Sequence, residues 1–217
     1  KAMNSNQDVD IRKSAIMSLT LIAARHFAER TGTTSLPGRT NTPDLSPLKT
    51  DIPLPLQVPS IDDKAALEEL MSAAQDSDAS IRHLAAYTLG LISGPDAIEQ
   101  LRVLLLDSDE STQVNAAIAL SRNADVGGMP TIIEVLRNGL EPLETEEFKA
   151  LPEAEKQNAL TAQLYDQATA LVNCLTAVSK LWDRIEDSNK AKLLSVIEKL
   201  ESDHASPGIR LHAKAVL

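Results

Sequence analysis

Asp76-Ser77-Asp78-Ala79-Ser80-Ile81-Arg82-His83-Leu84-Ala85-Ala86-Tyr87-Thr88-Leu89 is followed by Asp107-Ser108-Asp109-Glu110-Ser111-Thr112-Gln113-Val114-Asn115-Ala116-Ala117-Ile118-Ala119-Leu120. The two stretches lie 31 residues apart, and the Asp-Ser-Asp head, the Ala-Ala pair and the closing leucine coincide. A repeat of this period marks stacked helical hairpins, because one hairpin cannot bury its apolar face alone and does so against its neighbours.

The composition agrees with that reading. Of 217 residues, 43% are hydrophobic and only 2% aromatic, so the core is aliphatic and suited to close-packed helices rather than a sandwich or barrel. A net charge of -10 repels phosphate backbones and disfavours nucleic-acid and anionic-membrane partners. Cys174 is the single cysteine, which excludes an intramolecular disulfide and a cysteine-rich zinc site. No apolar run reaches the roughly 18 residues of a membrane span, and no secretory signal is visible. The cytoplasm is therefore the expected compartment, with a removed signal sequence as the alternative. The opening at Lys1 without Met reads as a fragment or a processed product.

From the repeated stretch, the same phase extends in both directions. A first helix is expected over about 8–30, with Ile11, Ala15, Ile16, Leu19, Ile22 and Ala23 on one buried face. Its Asp8, Ile11-Arg12, Ala15 and Leu19 match Asp78, Ile81-Arg82, Ala85 and Leu89. Residues 31–60 hold Pro37, Pro43, Pro47, Pro53, Pro55 and Pro59, which forbid helix interiors and central strands. This segment reads as an extended insertion, with a ligand for a proline-recognising domain as the alternative. A helix follows over about 61–75, capped by Ser60 with Asp63 in its first turn. Ala66 to Leu70 match Ala97 to Leu101, so the proline segment interrupts one hairpin.

The second hairpin is expected at about 78–92 and 95–106, broken by Ser93-Gly94-Pro95, and the third at about 109–123 and 130–139. An acidic insertion covers 140–156 with Glu141, Glu144, Glu146, Glu147, Glu153 and Glu155. A long helix from about 154 to 185, through Leu160, Leu164, Leu171, Leu175 and Leu181, pairs with a helix near 188–201. Finally Ser206-Pro207 reads as a cap and first turn, and Ile209-Arg210, Ala213 and Leu217 return to the phase of Ile81-Arg82, Ala85 and Leu89. Self-association, or a continuation of the chain, is expected to cover the apolar face of that helix.

The pattern Asp-x-x-Ile-Arg-x-x-Ala-x-x-x-Leu, at Asp8 to Leu19 and Asp78 to Leu89, resembles the HEAT-repeat family. The short period is similar to the HEAT-like repeats of the phycobilisome (bilin) lyase type. The resemblance implies an all-α, right-handed solenoid, a superhelix of about four and a half hairpins in a single domain over 1–217. It also implies that Arg12, Arg82, Arg210 and the aspartates before them are structural. Thr112-Gln113 in place of Ile-Arg, and Ser206 in place of Asp, depart from the pattern.

Chemistry has little purchase on this sequence. His26, His83, His204 and His212 show no metal-ligand spacing, Gly127-Gly128 is a turn rather than a phosphate loop, and Cys174 falls inside a helical pattern. No catalytic, cofactor or metal residue is assigned, and no enzyme activity is expected. The expected function is a protein–protein scaffold whose partner-binding candidates are His83, Tyr87, Asn115 and Ile118, which vary between repeats, and the acidic Glu144, Glu146 and Glu147. Two alternatives stand beside it: a subunit of a modifying enzyme similar to a bilin lyase, and a nucleic-acid-binding protein.

Overall fold

The computed structural model describes residues 9–32, 64–140, 148 and 150–217. These form nine α-helices: α1 Val9–Thr31, α2 Lys64–Ala73, α3 Ala79–Ile92, α4 Pro95–Leu104, α5 Glu110–Arg122, α6 Met129–Asn138, α7 Glu153–Leu181, α8 Asp187–Asp203 and α9 Pro207–Val216. A 3-10 turn, Trp182–Arg184, ends the long α7, and no strand occurs among the described residues. The proline-dense residues 33–63, the Asp8, Ser60 and Asp63 caps, Glu141, Glu144, Glu146 and Glu147, and the side chains of Leu160 and Leu164 lie outside the described residues.

The described residues divide into two compact units, one ending at Ile132 and the other beginning at Ile133. In the first, α3 packs between α1 and α5, with α2 and α4 against it. In the second, α9 packs on α7 and α8.

The expected helix starts hold. Asp78 caps α3, accepting from the Ser80 N–H at 2.8 Å, and Asp109 caps α5, accepting from the Thr112 N–H at 2.8 Å. Both carboxylates satisfy donors that a helix start leaves free and sit at the positive end of its dipole. Ser93 at φ 67° and Gly94 at φ 109° turn the chain out of α3, and Pro95 takes the first turn of α4, where no N–H is needed. Ser206 stands at the cap of α9, but its hydroxyl makes no cap bond.

Buried aliphatic and small side chains fill the first unit. Ile81, Ala85, Ala86, Leu89, Leu91 and Ile92 of α3 are all buried, with Ala116, Ala119 and Leu120 of α5. Glycine is required at one point of this seam: a Cβ on Gly90 would lie 2.5 Å from the Ala119 Cβ and 2.9 Å from its Cα. Between α1 and α3 the buried Thr20 and Thr88 hydroxyls meet at 2.6 Å, and each also lies 2.8 Å from a carbonyl of its own helix, Ile16 and Leu84.

The expected face of α1 is corrected by this packing. Ile11 and Ile22 are 52% and 53% exposed, and the buried side is formed by Arg12, Ile16, Thr20, Ala23, Ala24 and Phe27. Apolar residues surround α1 on more than one side, whereas α2 and α3 cover only one arc of it. The long helix expected from about 154 starts at Glu153, so Glu153 to Lys156, the end of the acidic stretch, belong to the first turn of α7. The acidic Glu153 and Glu155 in that turn complement the helix dipole.

Candidate protein-binding face

The repeat frame is a chain of clasps. Arg12 reaches from α1 to the head of the next hairpin, Nε to Asp76 Oδ2 at 2.8 Å and Nη2 to Oδ1 at 3.1 Å. Arg82 does the same from α3, Nε to Asp107 Oδ2 and Nη2 to Oδ1, both at 2.8 Å. The third nitrogen of Arg82 stays within its own hairpin and donates to the Asp76 and Ser77 carbonyls at 2.8 and 3.2 Å. Each aspartate also accepts the N–H two residues on, Asp78 at 2.9 Å and Asp109 at 2.8 Å. The side chains of Arg82 and Asp107 are only 14% and 10% exposed. The hydrogen bonds from Arg82 hold the Asp107 carboxyl below the usual carboxylate range, and those to Asp107 raise Arg82 in turn.

Two departures in the sequence now have a physical reading. Gln113 stands where Arg82 stands and keeps only the inner bond, Nε2 to the Asp107 carbonyl at 2.5 Å. Arg210 keeps the inner bonds, Nη1 to the His204 and Ala205 carbonyls at 2.6 and 3.2 Å. His204 takes the place of Asp76, its Nδ1 accepting the Ser206 N–H at 3.0 Å. An imidazole nitrogen is an acceptor only when neutral, and burial lowers the His204 pKa accordingly.

The sequence-predicted binding residues fall along the seam of α3 and α5. His83 is half-buried, its pKa lowered by burial against an opposing pull from Asp109 and a lowering one from Lys13. Tyr87 is half-buried, and the Arg122 guanidinium sits over its ring at 4.8 Å. Asn115 is half-buried and donates from Nδ2 to the Ser111 carbonyl at 3.0 Å. Ile118 is 7% exposed and packs into the core. Thus His83, Tyr87 and Asn115 keep accessible surface, whereas Ile118 is enclosed.

Arg122 was missed as a candidate, though a signal was present: it is a cation where the preceding hairpin has Leu91. Arg82 and Arg102 of the same unit have carboxylate partners, Asp107 and Asp125. Arg122 has the Tyr87 face, and its Nη1 is enclosed with no hydrogen-bond partner. Burial lowers the Arg122 pKa. A guanidinium on an aromatic face is attractive by roughly 0.5–2 kcal/mol, so the pair staples neighbouring repeats where a tyrosine edge is still open.

Elsewhere, Cys174 is buried and its thiol is pushed up to about 12 by that burial, far from a thiolate nucleophile at neutral pH. Among the described residues no group of three His, Cys, Asp or Glu could hold a metal ion, and no helix is long and apolar enough to cross a membrane.

Residues 56–143 match the family model for HEAT repeats. This stretch is similar to HEAT repeats. It contains both clasped aspartates, Asp76 and Asp107, and the whole seam of α3 and α5. No curated protein matches the chain.

The two histidine shifts give a pH prediction. Both pKa values are depressed in the fold, so the unfolded chain binds protons more readily near the ordinary histidine value of about 6.5. Stability is then full above that value and declines as pH falls below it. Thermal unfolding between pH 7.5 and 5.5 should show a falling midpoint. Combining His83→Gln with His204→Asn, which keeps an acceptor at 204, should flatten the decline; an unchanged slope would count against these histidines.

Proposed function

We propose that this chain is a non-catalytic protein–protein interaction scaffold, a cytoplasmic α-solenoid with a right-handed superhelix of about four and a half HEAT-like hairpins. The observation that carries this reading is the division of labour along α3 and α5. The clasp residues Arg82, Asp76 and Asp107 are spent on holding hairpins together. The residues that change between repeats, His83, Tyr87 and Asn115, keep accessible surface beside them. HEAT repeats commonly mediate protein–protein interaction, which supports the same reading. Tyrosine and arginine are the side chains most often found at the energetic centre of such contacts, so Tyr87 with Arg122 is the proposed anchor. Glu144, Glu146 and Glu147 are proposed as a second, acidic docking element for a basic partner.

The reading as a subunit of a modifying enzyme similar to a bilin lyase gains nothing from Cys174, whose thiol is enclosed. The nucleic-acid reading has the -10 charge against it.

Affinity capture with the full chain and with a His83→Ala/Asn115→Ala variant tests the proposal. Both substitutions remove partly exposed polar side chains outside the clasps, so circular dichroism should be unchanged. A specific protein should be enriched by the parent chain and reduced about tenfold by the variant, a change of ~1.4 kcal/mol. Enrichment of nothing above background would sink the scaffold reading. Equal capture by both chains would take His83 and Asn115 out of the contact.

A further inference from the structure

Arginines of the first unit are met by carboxylates, with one exception. Arg12 and Arg82 present the same edge, Nε with Nη2, to the two oxygens of Asp76 and of Asp107, at 2.8 to 3.1 Å. Arg102 reaches Asp125 through Nη2 at 2.7 Å. Arg122 is the exception. Among the described residues no carboxylate or carbonyl accepts from it, and its guanidinium carbon lies 4.8 Å from the centre of the Tyr87 ring.

Two features set this cation apart from an ordinary surface arginine. Nη1 is enclosed without an acceptor, so that nitrogen has given up water and gained no polar partner in return. The residue as a whole is only half-buried, and Nε and Nη2 are not enclosed with Nη1. The forked edge that Arg12 and Arg82 use is therefore open on Arg122. Burial also lowers the Arg122 pKa, and Tyr87 supplies the one opposing pull among the described residues. A guanidinium held in a partly dry site gains more from an incoming carboxylate than a hydrated one does.

We infer that the Nε and Nη2 edge of Arg122 receives a carboxylate from a protein partner, an aspartate or glutamate side chain held by two hydrogen bonds beside the Tyr87 ring. The chain itself supplies the pattern, because the same edge of Arg12 and Arg82 takes Asp76 and Asp107 in that way. The occupant is a single carboxylate rather than a polyanion, since a net charge of -10 opposes dense negative charge. The partner thus brings one acidic side chain within a neutral or basic surface. This inference rests on the scaffold reading, in which Tyr87 and Arg122 form the anchor, and names what that anchor takes.

Nuclear magnetic resonance of the isotope-labelled full chain tests it, with the arginine Nε–H signals followed as an end-blocked Ala-Glu-Ala peptide is added. Arg122 should respond at about tenfold lower peptide concentration than the exposed Arg137, whose pairing water and salt weaken. The matching Ala-Gln-Ala peptide should leave Arg122 unmoved. Arg122→Lys keeps a cation for the Tyr87 ring but loses the fork, so the Tyr87 amide should need about tenfold more Ala-Glu-Ala to shift, at unchanged circular dichroism. Equal response of Arg122 and Arg137, equal effect of the two peptides, or an unaltered titration in Arg122→Lys would overturn the inference. So would a response to inorganic phosphate with none to Ala-Glu-Ala. The titration requires no captured partner, so it succeeds or fails separately from the scaffold reading.

Discussion

Alanine at Asp107 should lower the stability of the first unit by about 3 kcal/mol, within the range for removing one partner of a buried ion pair. The loss has two parts. Arg82 is left with Nε and Nη2 facing an empty corner, each having held an Asp107 oxygen at 2.8 Å. The Asp109 N–H at the head of α5 also loses its acceptor. Urea unfolding followed by circular dichroism gives the cost directly. Arg82→Gln is the informative second substitution, because glutamine at 113 retains the inner carbonyl bond in the same frame. The double-mutant cycle should return a coupling of about 2 kcal/mol. A cost for Asp107→Ala below about 1 kcal/mol would place this clasp among ordinary surface ion pairs and undo its role as the frame.

Gly90 gives the second large effect, with a sign opposite to the usual one. Alanine for glycine inside a helix ordinarily gains up to about 1 kcal/mol. At Gly90 the added carbon would lie 2.5 Å from the Ala119 Cβ and 2.9 Å from its Cα, and backbone cannot swing aside as a flexible side chain does. Gly90→Ala should therefore cost about 2 kcal/mol and Gly90→Val about 3 kcal/mol, as overpacking forces α3 and α5 apart. Ala119→Gly in the same chain should recover part of the loss, since it removes the nearer atom and leaves the Cα. Stabilisation by Gly90→Ala would mean that the helices approach less closely than described. The same substitutions test whether the clasp depends on helix spacing: widening the seam should also reduce the Arg82–Asp107 coupling.

Much of the frame was legible because it is written in local chemistry. Asp78 and Asp109 were readable as caps, since a carboxylate at a helix start has donors within two or three residues whatever lies beyond. Pro95 and Pro207 were readable for a similar reason: each occupies a first turn where its missing N–H costs nothing. The burial of Cys174 followed from its phase between Leu171 and Leu175, both buried. The candidate face was less legible. Tyr87 and Ile118 occupy equivalent positions, yet one is half-buried beneath Arg122 and the other is enclosed. Variation between repeats identifies where the frame is free to change, but not which of those positions water can reach.

The sequence by itself determined the repeat unit, its period of 31 between the two central copies, the helix starts and the aliphatic character of the core. These depend on residues a few positions apart and on composition. Only the tertiary structure decided that Arg12 is buried while Ile11 and Ile22 are exposed, that Arg122 stacks on Tyr87, and that His204 serves where the other hairpins use aspartate. Helical periodicity sets the phase of a side chain around its own axis. Which arc is then covered is set by the neighbouring helices, whose approach depends on residues as distant as Thr20 and Thr88 or Gly90 and Ala119.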